Sequence, residues 1–301
     1  MNQSIVASIV LYNPDISRLK ENIASVIKQV NCVILVDNAS NNIEEIEKSD
    51  IIKDKCILLK NNKNVGLARA LNQAMQCAFE NKYNWVLTLD QDTVCEENLV
   101  EGLSKHIDKE KVGIIAPKFL DRNCKRIADG EQGWKYVLRC ITSASLTNVE
   151  SWNKIGGFND ELFIDYVDYD FCARLIRNGY AIIQDSDVSI LHEIGHSKRI
   201  YIGNKYSFIL YNHSAMRDFY IVRNTLYYCY SYPDVWDVKK EKRNLIMRCI
   251  MIFLFETGRV EKLKCMVQGW WESKKLIKDV RKQKSDMKKL LRNQTMKLRD
   301  N

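Results

Sequence analysis

Twice in the first third of the chain a short apolar run ends in an aspartate: residues 32–37 read CVILVD and residues 84–90 read NWVLTLD. Runs of that length without a polar face belong to strands buried on both sides, as in a parallel sheet covered by helices. Residues 5–12 supply a similar β-branched run, which Asn13-Pro14 breaks. Behind it Ile16, Leu19, Ile23, Val26 and Ile27 recur at helical spacing, with Asp15 placed as an N-cap. Further helices are predicted over residues 65–81 and 96–107. The alternation predicts an α/β fold, and in such sheets ligands gather beyond the carboxyl ends of the strands, where Asp37 and Asp90 fall.

From about residue 118 the alternation loosens. The pattern predicts a strand near residues 140–147, a turn at Gly156-Gly157, a helix over residues 168–177 and a strand near residues 188–191, with the core ending near residue 200. Beyond that point the sequence reads as helical, basic and aromatic. Lys and Arg outnumber Asp and Glu there by 22 to 10 between residues 205 and 301, within a chain whose net charge is +8. The most apolar stretch, residues 245–255, contains Arg248 and is far shorter than the roughly 20 residues of a spanning helix. No secretory leader is recognisable. The 10 cysteines form no CxxC pair, which fits reduced core thiols in a cytoplasmic protein rather than a zinc knuckle or a disulfide framework.

Three D-x-D triplets occur: Asp90/Asp92, Asp168/Asp170 and Asp185/Asp187. Only the first ends an apolar strand and opens a loop, so Asp90-Gln91-Asp92 is the candidate for a divalent cation, Mg²⁺ or Mn²⁺, that grips a diphosphate. Neither GxGxxG nor GxxxxGK[ST] is present to cradle phosphates without metal. A literal HExxH at His192–His196 matches the zinc-protease signature. It follows a β-branched run and carries Gly195 at a would-be helix interior, which argues against the helix that motif requires.

The motifs VLYNP (10–14), VDNAS (36–40), NVGLARALNQA (64–74), LTLDQD (87–92), GGF (156–158) and FIDYVDYDFCARL (163–175) follow one another in a fixed order. In that order they resemble the inverting GT-A glycosyltransferases of family 2, and within it the bacterial rhamnosyltransferase-like branch. The resemblance implies a Rossmann-like, mixed, mostly parallel sheet flanked by helices, with a C-terminal helical basic extension. It divides residues 1–200 into a nucleotide-sugar-binding half (1–117) and an acceptor half (118–200), with residues 201–301 as the extension.

Carried over by position, Asp168 resembles the catalytic base and Asp92 the metal ligand, with His192 as a late second ligand. Asp37 resembles the base- or ribose-binding aspartate and Asp90 the ribose partner, and Arg69 and Asn72 the diphosphate- and ribose-side contacts. Tyr12, Asn13, Asn38, Gly66 and Gln91 fall among the donor-binding positions. Asp170 is a supporting residue, and Val167 departs from the pattern, since many relatives carry Glu there. An aspartate at a helix start is also favoured by the helix dipole alone, and a strand-end histidine needs no metal.

The expected activity is transfer of L-rhamnose from dTDP-L-rhamnose to a lipid-linked saccharide, as in O-antigen or capsule synthesis, on the inner face of the plasma membrane. A UDP-hexose donor and a non-catalytic nucleotide-sugar- or glycan-binding protein are the alternatives. The tail, with Trp270 and Trp271 among Lys and Arg, suits a membrane surface over residues 270–289, while residues 245–255 suit a surface or a packed core equally. No nucleic-acid-binding motif is recognisable.

Overall fold

This computed structural model describes residues 4–50, 55–121, 132–192, 198–202, 206–210 and 212–297. The chain separates into two compact units, Met1–Gly195 and His196–Asn301.

The first unit is built on an eight-stranded sheet in the order β3-β2-β1-β4-β7-β5-β8-β6. Its strands are β1 (Ile5–Leu11), β2 (Val33–Asp37), β3 (Cys56–Lys60), β4 (Trp85–Leu89), β5 (Val112–Asp121), β6 (Trp134–Tyr136), β7 (Ser145–Asn148) and β8 (Ala181–His192). β7 and β6 run antiparallel to their neighbours, and the remaining pairings are parallel. The expectation of a mixed, mostly parallel sheet is met. Every residue of β2 and β4 is buried, which is why both runs lack a polar face, while edge strand β3 is only half-buried. Ile9, Leu35, Leu87, Ile115, Leu146 and Ile183 lie in one continuous core.

The helices are α1 (Ile16–Val26), α2 (Ile43–Lys48), α3 (Leu67–Glu80), α4 (Leu99–Ser104), α5 (Val149–Lys154) and α6 (Val167–Arg177). Asp15 caps α1, its carboxylate accepting from Arg18 N at 3.0 Å. The third helix packs on β1 and β2, and the fourth on β5 and β8. Strand order reverses between β1 and β4, which opens the ligand crevice of such sheets at their carboxyl ends.

Three expectations shift. The helix expected over residues 96–107 is only α4, flanked by turns; inside it Gly102 admits Val188, whose Cγ2 would meet an added Cβ at 2.5 Å. The strand expected near residues 140–147 starts at Ser145, because the preceding loop is held by the tip of β4: Thr88 Oγ1 donates to Thr142 O, and Asp90 N to Ser143 Oγ at 3.4 Å. The strand expected near residues 188–191 is the end of the 12-residue β8, whose register against β5 slips between Pro117 and Lys118. That irregularity holds Asp185 and Asp187. Asp185 pairs with buried His106 at 2.7 Å and Asp187 accepts from Gly133 N at 2.8 Å, so this D-x-D serves the fold.

The second unit opens on a hairpin of β9 (Lys198–Ile202) and β10 (Tyr206–Leu210), where the sequence reading expected helix. Both segments are rich in β-branched and aromatic residues, which suit strands. Helices α7 (Ala215–Ser231), α8 (Val238–Phe255) and α9 (Arg259–Lys297) follow. Among the described residues no helix is long and apolar enough to cross a membrane.

Candidate active site

The tips of β1 and β2 are locked into one unit. Asn13 sits at φ 49°, its side-chain oxygen accepts from Asn41 N at 2.7 Å, and its own N–H donates to Ser40 Oγ at 2.9 Å. Asp37, the last residue of β2, is buried and accepts from Ser40 N at 3.2 Å. The neighbouring Asn38 side chain reaches the loop before α3, accepting from Val65 N and donating to Asn64 Oδ1, both at 2.9 Å. Motifs far apart in sequence thus form one rigid rim.

Across the β1/β4 crevice, Gln91 accepts from Tyr12 N at 2.9 Å and donates to Tyr12 O at 3.4 Å. This backbone clamp gives the middle residue of the D-Q-D triplet a physical role and leaves the Tyr12 ring half exposed at the mouth. Buried Asn22 donates to Asp90 O at 2.7 Å, fixing the strand tip from below. Asp92 is exposed on the loop. Among the described residues no three His, Cys, Asp or Glu gather to hold a metal. One or two carboxylates completed by substrate phosphates are nonetheless the donor set Mg²⁺ and Mn²⁺ take in nucleotide sites, and Asp90/Asp92 fits it. His192 closes β8 in register with Asp121, and its side chain lies outside the described residues, as do residues 193–196 of HExxH. The first residue of that motif is therefore on a strand, not a helix.

The amino end of α3 meets the segment that leads to the proposed base. Gly66 adopts φ 87° and ψ 165°, a region essentially confined to glycine, and a Cβ there would lie 2.7 Å from Phe163 Cδ2. The contact is used, since Leu67 N donates to Phe163 O at 2.6 Å. Along the same helix, Arg69 Nε lies 3.6 Å from Asp160 Oδ2, with both side chains half exposed. Asn72 accepts from Trp152 Nε1 (2.9 Å) and Phe158 N (2.8 Å), and donates to Phe158 O (2.9 Å) and Asp160 Oδ1 (2.8 Å). Those bonds cast Asn72 as a tie between α3 and the Gly-Gly-Phe turn. Asn72→Ala is expected to destabilise the first unit by about 2–4 kcal/mol in urea unfolding, because two donors lose their acceptor. Weaker donor binding at unchanged stability would make it a ligand contact instead.

Asp165 and Tyr166 both take left-handed φ, 61° and 64°, immediately before α6. Such backbone strain in non-glycine residues persists only where the surroundings over-determine it. Val167 is buried, so the position where relatives carry Glu here faces the core. Asp168 follows in the first turn and accepts from Tyr169 N at 2.9 Å. Burial is the main cause pushing its pKa up to about 7; the Tyr169 N–H opposes it, and the Asp165 and Asp90 carboxylates add to it. The strand-tip carboxylate and the proposed base are therefore within electrostatic reach of each other. Asp170, fully buried, is bonded by Arg174 Nε at 2.8 Å, and Arg174 Nη1 reaches Ile155 O at 3.2 Å. That pair holds α6 to the turn after α5. Asp160 and Arg139, whose guanidinium stacks 4.4 Å from the Tyr169 ring centre, join the site without any motif signal of their own.

A mostly parallel sheet with aspartates at the strand tips of its reversal point and a further carboxylate opening a later helix is the architecture of a GT-A glycosyltransferase. The chain belongs to glycosyl transferase family 2, whose model matches residues 7–177. It is 30% identical over 242 residues to the dTDP-rhamnosyl transferase RfbF of Shigella flexneri, covering 74% of this chain and 79% of that one. Among solved structures, TarS 1-349 of S. aureus aligns with TM-score 0.57 at 13% identity, over 90% of this chain and 81% of that one. GalNAc-T7, solved with UDP, GalNAc and Mn²⁺, aligns with TM-score 0.56 at 15% identity, over 84% of this chain and 56% of that one. At these identities the likeness is one of fold. The family, the fold and the enzyme class read from the motifs are borne out.

Proposed function

We propose that this glycosyltransferase moves L-rhamnose from dTDP-L-rhamnose, with inversion, to a hydroxyl of a lipid-linked saccharide at the inner face of the plasma membrane, as in O-antigen or capsule synthesis. The similarity to a dTDP-rhamnosyl transferase over most of both chains carries the donor. The acceptor and the location rest on the basic, aromatic second unit.

In this reading the nucleotide lies along the β1/β4 crevice, with Tyr12, Asn13, Asp37 and Asn38 forming its rim, Asp90 on the ribose side and Arg69 near the diphosphate. Asp168 accepts the proton of the acceptor hydroxyl as that oxygen bonds to the anomeric carbon, and the bond from that carbon to the diphosphate oxygen breaks on the opposite face. Asp92 would hold a divalent cation, which when bound neutralises the departing diphosphate. Gly66, Asn72 and the Asp170–Arg174 pair act at a distance, fixing the base segment against α3 and the turn after α5.

Thermal shifts with sugar nucleotides test the donor, since a ligand at 100 times its Kd stabilises by about 2.7 kcal/mol. dTDP-L-rhamnose with Mg²⁺ or Mn²⁺ is expected to raise Tm. A response to UDP-sugars alone would keep the class and discard rhamnose; no response to any would overturn the donor site. Asp92→Ala is expected to abolish the metal-dependent part of the shift while leaving the ligand-free Tm unchanged, because Asp92 is exposed.

A further inference from the structure

The apolar residues of α8 are distributed the wrong way round for a helix that only packs. Leu245, Cys249 and Ile252 face inward, against Val222, Leu263 and Met266. Ile246, Met247, Ile250, Phe253 and Leu254 recur at spacings of three and four on another stripe and are 43% to 61% exposed. Lys239 and Arg243, both exposed, continue that stripe towards the start of the helix. Helix α9 repeats the mixture: Val260, Val267 and Trp271 are exposed at helical spacing with Lys264, Lys274 and Lys278. Lys274 Nζ lies 3.7 Å and 4.0 Å from the ring centres of Trp270 and Trp271.

The turn between the two helices is rigidly held. Glu256, fully buried, is bonded by Arg248 Nη1 and, at 2.7 Å, by Lys262 Nζ, and Arg248 Nη2 reaches buried Asp218 of α7 at 2.9 Å. A fixed helical hairpin therefore presents large apolar side chains beside cations and interfacial tryptophans.

We propose that the α8–α9 hairpin is a docking surface for an anionic lipid bilayer, lying in the interface with the α8 stripe inserted among the acyl chains. Charge complementarity selects this occupant: over residues 205–301 Lys and Arg outnumber Asp and Glu by 22 to 10, so two such units brought together would repel, whereas an acidic headgroup layer attracts them. Among the described residues no helix is long and apolar enough to cross, and an amphipathic hairpin of this kind attaches along the surface. The proposal deepens the membrane location given above, and its vesicle-binding readout needs no sugar donor.

Co-sedimentation of the full chain with vesicles of phosphatidylcholine, alone or with about one third phosphatidylglycerol, reads the surface directly. Binding to the anionic vesicles is expected, at least 10-fold weaker on neutral ones and weakened by 0.5 M salt. The Ile250→Asp/Phe253→Asp variant is expected to lose it, with its circular dichroism and its cooperative melting kept. Lys264→Gln/Lys274→Gln/Lys278→Gln, which leaves the stripe intact, is expected to need more anionic lipid for the same binding. Wild-type chain left in the supernatant at low salt, or stripe variants that bind unchanged, would overturn the proposal. So would a dimer that ignores vesicles and is dissociated by the stripe substitutions. Failure of the donor reading would leave vesicle binding intact and appear only in the sugar-nucleotide shifts.

Discussion

Replacing Asp168 by Asn is expected to lower the transfer rate by about 10²- to 10⁴-fold, the range a positioned general base contributes, with donor affinity close to wild type. Asn keeps the shape and still accepts from Tyr169 N, so only the proton acceptor is lost. The pH dependence follows from the raised pKa. The base form fills as pH rises through about 7, so the wild-type rate should climb across that region and level off above it. Stability moves the other way. A carboxyl whose folded pKa stands above its ordinary 3.8 favours the fold while protonated and loses that advantage as pH rises towards 7. Asp168→Asn should therefore melt with the wild type near pH 4 and increasingly above it as pH rises to about 7, the gap levelling off at higher pH. Rates measured between pH 5 and 9, beside melting curves between pH 4 and 9, check both signs. A wild-type rate in the variant would remove the base assignment.

The second large effect is expected far from any proton transfer. Gly66→Ala should lower stability by about 3 kcal/mol or more, combining a backbone conformation essentially closed to other residues with overpacking of a tight contact. For a unit of this size that is a fall of roughly 6–12 °C in Tm. The added methyl would push against Phe163 itself, including its carbonyl at 2.8 Å, so the neighbour that must yield is backbone. Phe163 O is the acceptor for Leu67 N, and its segment continues through Asp165 and Tyr166 into Asp168. Whatever activity the folded variant retains should show a lower turnover number, because the base segment is displaced. Unchanged melting and turnover would mean that the segment reaches the site without this contact.

Legibility followed burial. β1, β2, β4, α1 and α3 were readable because their side chains answer to one core and so keep strict periodicity, and their ends coincide with the carboxylates of the site. β8 was half hidden: its QDSDV interior sits where the pairing with β5 slips, and a polar irregular stretch reads as a loop. The loop before β7 reads as strand because its residues are β-branched and small, yet its bonds go to Thr88 and Asp90.

The site shows the same division. Motif positions pointed to Asp37, Asp90, Asp92 and Asp168, whereas Asp160 and Arg139 are defined only by what folding brings beside them. Asn72 stands in a motif as if to touch ligand, but its bonds join one piece of the scaffold to another, as do those of the supporting Asp170. In α8 a run as apolar as a buried helix turned out to face solvent along one stripe, a distinction that composition does not carry and only partners decide.

The central claim is metal-dependent sugar transfer from dTDP-L-rhamnose with Asp168 as base. Its most direct measurement is release of dTDP from dTDP-L-rhamnose, with water standing in for the acceptor hydroxyl, in wild-type chain beside Asp168→Asn and with a UDP-hexose as control donor. The expected result is slow release by the wild type that requires Mg²⁺ or Mn²⁺, falls at least 10²-fold in the variant, and is not matched with the UDP-hexose. Equal release by wild type and variant, or release from the UDP-hexose alone, would contradict it.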